Sequence, residues 1–137
     1  IKWASLYNEL LAGSKIKLPY CKPGYRHVYH LYVIETPGRD DLQAFLKDKG
    51  ITALTNYPIA IHQQEGFPFA NSQGLAYKVP GITDAGDPHP HLPECEANAA
   101  NCLSLPIYPE LTEDEVRYVA KSVLEWVNGP GAKYFKH

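Results

Sequence analysis

Between residues 27 and 55 the chain reads as strand, helix and strand, and this succession limits its possible folds more than any other feature. Residues His27–Glu35 are mostly β-branched or aromatic, with apolar side chains on both faces, which predicts a strand buried between two layers. A helix follows, for which Asp40 is a candidate cap with Gln43 at capping-box spacing. Residues Ile51–Thr55 then predict a second strand. A crossover helix would let the two strands share a sheet.

Two more helices are indicated by apolar residues at helical spacing. The first is predicted over Lys2–Ala12, where one face carries Trp3, Leu6, Tyr7, Leu10 and Leu11. The last helix begins after a capping box formed by Thr112 and Glu115, and the sequence Asn128-Gly129-Pro130-Gly131 ends it. Its apolar face consists of Val116, Val119, Ala120, Val123, Leu124 and Val127.

Two short extended segments complete the pattern. Ile16–Leu18 is stopped by a proline, and Leu103–Ile107 alternates like a strand, with Pro106 placing it at an edge or an end of a sheet. The elements together predict an α+β fold in which helices cover one side of a small sheet that is largely antiparallel or mixed.

The length of 137 residues suits one compact domain, so residues 1–137 are expected to form a single domain. Within it, residues 67–101 are rich in Pro, Gly, Asn and Asp and predict a long loop region, with one possible helical turn near Glu94 to Ala100. A loop of that length in a compact domain is usually functional or poorly ordered.

The charge pattern excludes several classes of partner. A formal net charge of −2 without a basic stripe argues against binding to nucleic acid or to a membrane surface. The longest apolar runs, such as Val28 to Ile34, are far shorter than the roughly 20 residues that span a bilayer. Three unevenly spaced cysteines argue against a disulfide framework and suit a reducing compartment. We therefore expect a cytoplasmic protein.

A metal site and a reactive thiol are the first chemical alternatives. His89, His91, Cys95 and Cys102 are residue types that bind zinc, but their spacing lacks the close pairs of structural zinc motifs, so we predict no metal site. Cys21 could act as a nucleophile only if the fold brought one of the six histidines beside it. We assign no catalytic residue to this chain.

Three other side chains are candidates for binding. His30 lies inside the predicted buried strand, where an imidazole needs a hydrogen-bond partner or a ligand. Tyr57 and His62 follow the end of the second predicted strand, where binding groups often collect. The chemistry of these residues does not by itself separate binding from packing.

Three stretches resemble one family in order and spacing, and the opening segment Tyr7-Asn-Glu-Leu10 agrees with it. They are His27-Val-Tyr-His-Leu-Tyr-Val33, Gly50-Ile-Thr-Ala-Leu-Thr-Asn-Tyr-Pro-Ile-Ala-Ile-His-Gln63 and Leu103-Ser-Leu-Pro-Ile-Tyr-Pro-Glu-Leu-Thr-Glu-Asp-Glu-Val116. Together they resemble the C-terminal portion of the DegT/DnrJ/StrS sugar aminotransferases, and the likeness covers nearly the whole chain.

The resemblance implies a fold-type I enzyme, usually a homodimer, that moves an amino group from an amino acid, often glutamate, to a nucleotide-linked keto sugar used in cell-surface polysaccharide biosynthesis. Pyridoxal phosphate carries the electrons in such chemistry. The cofactor lysine belongs to the family's large N-terminal domain, which would be the partner of this small domain. We therefore expect the cofactor in the full-length protein, none on this chain alone, and no activity from this chain alone.

The resemblance also gives the candidate residues a role. His30 matches a histidine that the small domain lends to the sugar substrate, and Tyr57 and His62 match a later Tyr-Pro and His-Gln pattern. Asn56 stands where a histidine is common in the family, and the segment 73–91 is longer than usual. His30, Tyr57 and His62 are thus the predicted substrate-binding residues.

Two other hypotheses stay open at this stage. One is a stand-alone binding or regulatory module that has the same fold without the chemistry. The other is a small metal- or thiol-dependent enzyme built around His89, His91, Cys95 and Cys102.

Overall fold

A computed structural model describes residues 1–64 and 92–136. In chain order the helices are α1 (Lys2–Leu11), α2 (Arg39–Asp48), α3 (Pro93–Asn101) and α4 (Glu113–Asn128), and the strands are β1 (Tyr32–Glu35) and β2 (Cys102–Leu105). Short 3-10 helices span Ile61–Gln63 and Pro130–Phe135. The described residues fall into two compact units, Ile1–Asn56 with Asn101–His137 and Tyr57–Ala100. The single domain expected for 1–137 stays a prediction.

The sheet of the first unit is built on an antiparallel pair. β1 pairs with β2 in a register that sets Tyr32 opposite Leu105 and Glu35 opposite Cys102. Lys17 adds an antiparallel bridge to Glu35 on the outer side of β1. On the other side of β2, the backbone of Leu54 exchanges hydrogen bonds of 3.0 and 2.8 Å with Ser104. β2 is therefore the central strand.

The helices of the first unit cover one face of this sheet. Tyr32, Ile34, Leu103 and Leu105 point into the same apolar cluster as α1, α2 and α4, and all four are at most 3% exposed. α4 packs against both α1 and α2, because its apolar stripe contacts their buried faces. The predicted α+β fold with a small, mostly antiparallel sheet under helices is confirmed.

The ends of α4 and α2 illustrate one correct and one wrong prediction. The capping box at α4 is present, since the Thr112 side chain accepts from the backbone of Glu115 and the Glu115 side chain accepts from the backbone of Thr112. At α2 the cap is Gly38 in a left-handed conformation, not Asp40. The Gln43 side chain does not cap α2. Its Nε2 donates instead to the carbonyl of Ala53 at 2.9 Å.

Two predicted strands are shorter than the sequence indicated. The stretch from His27 becomes a strand only at Tyr32, because Tyr29 has a positive φ of 52°, which an extended strand does not allow. Ile51–Thr55 contributes a single bridge at Leu54. Both segments still belong to one sheet, separated by β2.

The second unit contains the 3-10 helix Ile61–Gln63 and most of α3. In the predicted loop region 67–101, the helical turn expected near Glu94 to Ala100 is confirmed, and the helix is longer, Pro93–Asn101. Proline at the first helical position and the early acidic residues Glu94 and Glu96 favour this helix start. The rest of that prediction, 67–91, lies outside the described residues, as does most of 73–91. Among the described helices, none is long and apolar enough to cross a membrane.

Candidate functional site

His30 lies at the surface, immediately before β1. The sequence placed this side chain inside a buried strand, and the structure corrects that, because the residue is exposed and the strand begins at Tyr32. An exposed imidazole can exchange hydrogen bonds with a ligand without any rearrangement of the core. The side chain thus remains a candidate for binding, in a different environment from the expected one.

A shallow cleft of about 480 Å³ surrounds His30, and we call it the His30 cleft. Its described lining consists of Arg26, His27, Val28, His30, Leu31 and Val33. Of the apolar lining residues, Leu31 and Val33 are half-buried and Val28 is exposed, whereas the polar groups come from one guanidinium and two imidazoles. A few polar groups over an apolar surface are typical of small-molecule sites.

The backbone at Tyr29 gives the cleft its shape. A left-handed conformation costs a residue with a side chain about 1–2 kcal/mol, so the surroundings must hold it. The Tyr29 N–H donates to Nδ1 of His27 at 2.9 Å, and the two rings lie 4.2 Å apart between centroids. On its other side the Tyr29 ring stacks on Tyr32 at 6.1 Å. Strained backbone of this kind is concentrated at functional sites.

Beneath the cleft, two buried tyrosines anchor β1 to α1. The Tyr32 hydroxyl donates to Oδ1 of Asn8 at 2.7 Å, and the Tyr7 hydroxyl donates to the carbonyl of Pro106 at 2.9 Å. The two rings are 4.9 Å apart. Burial, reinforced by neighbouring tyrosines, raises the pKa of both phenols above their usual value of 10.0. The phenols are therefore neutral hydrogen-bond donors that fix the strand.

The other two predicted binding residues lie in the second unit and differ from each other. Tyr57 is 76% exposed. His62 is 3% exposed, and its Nε2 lies 3.0 Å from Oε1 of Glu96, which also accepts from the backbone N–H of Leu92 at 2.9 Å. The structure therefore gives His62 a carboxylate partner within its own unit. The role of Tyr57 and His62 in binding substrate stays a prediction.

Some residues around the three predicted binding residues could have been identified from the sequence and others could not. Arg26 and His27 stand beside His30 in the sequence, so their contiguity could have identified them. No pattern links His62 to Glu96, which lies 34 positions away. The left-handed turn at Tyr29 also had no signal, because tyrosine does not favour that conformation.

The cysteines do not form a shared site in the described residues. The Cys21 thiol donates to the carbonyl of Tyr25 at 3.2 Å within a turn, Cys95 is exposed on α3, and Cys102 is buried on β2. Across 1–64 and 92–136 no three His, Cys, Asp or Glu side chains are grouped as a metal ion would need. His89 and His91 lie outside the described residues.

The lysines of the described residues are all at the surface or near it. Eight of these nine lysines are exposed, and the ninth, Lys49, is half-buried with its Nζ 3.1 Å from Oε2 of Glu125. Lys78 lies outside the described residues. A lysine that forms a Schiff base needs a desolvated amine or a cationic neighbour to lower its pKa. The nine described lysines lie at or near the surface, so their positions do not provide a desolvated amine.

The comparison with family models gives one match. Residues 1–124 match the model described as the DegT/DnrJ/EryC1/StrS aminotransferase family.

Curated relatives match over most of this chain but only part of their own length. A pleiotropic regulatory protein of Geobacillus stearothermophilus is 38% identical over 128 residues, which are 91% of this chain and 30% of that protein. The UDP-N-acetyl-3-dehydro-alpha-D-glucosamine 3-aminotransferase of Acidithiobacillus ferrooxidans is 32% identical over 126 residues, 92% of this chain and 30% of that enzyme. The chain thus spans about 30% of the length of these relatives.

Solved structures agree with the fold. DesV of S. venezuelae, solved in complex with a ketimine intermediate, superimposes with a TM-score of 0.73 at 32% identity, over 91% of this chain and 30% of that one. NtdA of Bacillus subtilis, solved with bound cofactor PMP, gives a TM-score of 0.67 at 24% identity, over 93% of this chain and 27% of that one. The arrangement of helices over a small sheet is therefore shared with these proteins.

Proposed function

This chain belongs to the DegT/DnrJ/EryC1/StrS aminotransferase family, and from that premise we propose that it is the C-terminal small domain of a pyridoxal-phosphate-dependent sugar aminotransferase. The full-length enzyme would move an amino group from an amino acid, with glutamate as the donor, to a nucleotide-linked keto sugar. It would act in the cytoplasm as a homodimer. The larger N-terminal domain would be the partner of this chain.

The relatives support the class of reaction and the partial length. One 32%-identical relative carries an aminotransferase name with a UDP-linked sugar substrate, and the solved DesV complex contains a ketimine intermediate. Because the chain spans about 30% of such proteins, most of an enzyme of this kind lies outside it. We therefore propose that this chain contributes to the reaction as one domain of the enzyme and does not catalyse it alone.

The described residues do not fit the cofactor by themselves. Pyridoxal phosphate, when bound, withdraws electrons from the carbon that gains or loses the amino group. Its lysine would have to lie in a closed site, whereas the nine described lysines lie at or near the surface. We propose that the cofactor binds in the other domain of the full-length protein.

The contribution that this chain makes is the placement of His30. Its exposed imidazole stands in the His30 cleft, beside a turn that the strained Tyr29 backbone holds in one conformation. A neutral imidazole can donate one hydrogen bond to a sugar hydroxyl and accept another from a second hydroxyl. Val28, Leu31 and Val33 supply apolar surface next to those bonds. This placement of His30 is the observation that carries the proposal.

The test is to replace His30 by alanine in the full-length protein and to measure amino transfer from glutamate to a UDP- or dTDP-linked keto sugar. Loss of a buried substrate hydrogen bond is expected to lower kcat/KM for the sugar by about 10- to 100-fold. The rate for the glutamate half-reaction should stay unchanged, because His30 is assigned to the sugar. Lys121→Ala, an exposed change on α4, is the control. An unchanged kcat/KM for the sugar would contradict the assignment.

A second candidate is a binding or regulatory module that performs no amino transfer. It is favoured by the Geobacillus relative, which is named as a regulatory protein and is 38% identical. The coding sequence of the full-length protein is the first observation that distinguishes the two candidates. The aminotransferase proposal requires a lysine-bearing cofactor domain in the same reading frame. A full-length protein that binds a nucleotide sugar but releases no 2-oxoglutarate from glutamate would favour the module.

A further inference from the structure

The segment that forms the His30 cleft has an unusual charge. Between Glu9 and Glu35 the sequence contains no Asp or Glu, whereas it contains Lys15, Lys17, Lys22 and Arg26. The overall charge of −2 conceals this run, because acidic residues dominate elsewhere in the chain. A local excess of cations on a neutral or acidic protein points to an anionic ligand.

Arg26 is the cation of this run that the cleft itself presents. Lys17 is paired with Glu35 at 2.9 Å, and Lys22 lies over the ring of Tyr25. Arg26 is exposed, lines the cleft, and makes no ion pair with any carboxylate in 1–64 or 92–136. A guanidinium presents its donors in a planar fork that matches two oxygens of a phosphate or carboxylate. Its whole donor set is therefore available to a ligand.

His27 is held as a second donor. Its Nδ1 accepts the backbone N–H of Tyr29 at 2.9 Å, so in the neutral ring the proton resides on Nε2. Stacking on the Tyr29 ring fixes the orientation of the imidazole. His27 therefore offers one oriented N–H donor.

No acceptor of comparable strength lines the same cleft. Among the described lining residues there is no carboxylate, and the remaining side chains, Val28, Leu31 and Val33, are aliphatic. A cationic or neutral donor-rich ligand would find no carboxylate there, whereas an oxyanion would find the Arg26 guanidinium and the oriented N–H of His27. The chemistry of the lining thus favours an oxyanion.

We infer that Arg26 and His27 bind the diphosphate of the nucleotide-linked substrate, next to the sugar-side position of His30. This inference rests on the proposed function for the choice of a diphosphate, whereas the preference for an oxyanion follows from the cleft alone. The cleft volume of about 480 Å³ is within the range of sites that hold small ligands. Arg26 and His27 are thereby specificity residues for the diphosphate. A cofactor phosphate offers similar oxygens, and titration with pyridoxamine 5′-phosphate distinguishes the two ligands.

The test is a titration of the 15N-labelled chain of 137 residues with inorganic pyrophosphate, UDP and pyridoxamine 5′-phosphate, followed by NMR. Pyrophosphate and UDP should shift the His27 and His30 ring signals and the Arg26 side-chain signal in a saturable way, and binding should weaken as salt is raised. Both diphosphates should bind at least about 5-fold more tightly than the monophosphate, since they offer more oxygens to the donors.

The variants separate charge from fold. Arg26→Gln should weaken pyrophosphate binding by about 10-fold or more, and Arg26→Lys by less, because a lysine keeps the charge and loses the fork. His27→Asn keeps an acceptor for the Tyr29 N–H while removing the donor, and should weaken binding by about 5-fold. Arg117→Gln on α4 is the matched control and should change nothing. The backbone spectrum of each variant reports that it is folded.

Several outcomes would overturn the inference. These are an absence of shifts at His27 and His30, equal pyrophosphate affinity in the Arg26→Gln and Arg117→Gln variants, and tighter binding of pyridoxamine phosphate than of UDP. Because the titration needs no turnover, its failure is distinct from that of the proposed function, which the His30→Ala kinetics test.

Discussion

Replacing Trp126 by alanine is expected to lower the free energy of unfolding by about 3–5 kcal/mol, as is typical of large aromatic residues removed from a core. Trp126 is 1% exposed on α4. Its ring stacks on Tyr134 at 5.9 Å, meets Phe135 edge-on at 6.2 Å, and lies against Gly131. Alanine would leave a cavity and release the 3-10 helix Pro130–Phe135 from α4. Urea unfolding followed by circular dichroism measures the loss.

The matched control for this change is Tyr118→Ala on the same helix. Tyr118 is 49% exposed and donates its hydroxyl to the carbonyl of Lys49, so its removal should cost about 1 kcal/mol. If Trp126→Ala prevents folding altogether, Trp126→Phe gives a measurable variant with an intermediate loss. A loss below about 1 kcal/mol for Trp126→Ala would mean that the C-terminal turn does not pack on α4.

Alkaline solution is expected to unfold the chain through Tyr7 and Tyr32. In the folded state burial and neighbouring tyrosines raise the pKa of both phenols above the value of 10.0 that they have when unfolded. The folded state therefore binds protons that the unfolded state releases above pH 10.0. The stability from these groups is complete below that pH and is lost as the pH rises above it toward the raised folded values.

Urea unfolding at stepwise pH from 8 to about 12, with phenolate absorbance in parallel, measures this effect. Tyr7→Phe and Tyr32→Phe should each flatten the decline in stability, since phenylalanine has no proton to lose. Tyr20→Phe is the control, because Tyr20 is 78% exposed. Equal pH dependence in all three variants would show that the buried phenols do not govern alkaline unfolding.

The helices were predictable because their signals are local. The apolar stripes of α1 and α4 and the Thr112–Glu115 capping box all depend on residues within a few positions of each other. Such patterns form in any tertiary context that buries the apolar face. The structure accordingly reproduces both helices within one residue of their expected ends.

The features that the sequence did not reveal include contacts between distant residues. Gln43 has the right spacing for a capping box, yet its amide is used by Ala53 on another element. His62 pairs with Glu96 across 34 positions. The strand expected from His27 is shortened by a left-handed Tyr29 whose compensation comes from neighbouring rings. The partners of Gln43 and His62 cannot be read from a short window of sequence, whereas those of Tyr29 are close in sequence but tyrosine gives no signal for a left-handed conformation.

The candidate site was predictable in part. The resemblance of its motif identified His30 as a candidate. Its exposure was not predicted, because the sequence indicated a strand from His27 and β1 begins only at Tyr32. Arg26 and His27 were overlooked because the net charge of the whole chain hides a run without acidic residues. A charge count over windows of about 20 residues would have revealed them.

The central position of β2 has a consequence for the order in which the polypeptide acquires its fold. β1 and the segment around Leu54 run parallel to each other, and in the described residues each is joined to the other only through Cys102–Leu105. During synthesis the edges of both segments that face β2 stay unpaired until Cys102–Leu105 has left the ribosome. A nascent chain that ends at Asn101 should therefore be cut rapidly by protease and one that ends after Asn128 should resist, which pulse proteolysis of stalled chains would measure. Assembly of this sheet is a late and cooperative event.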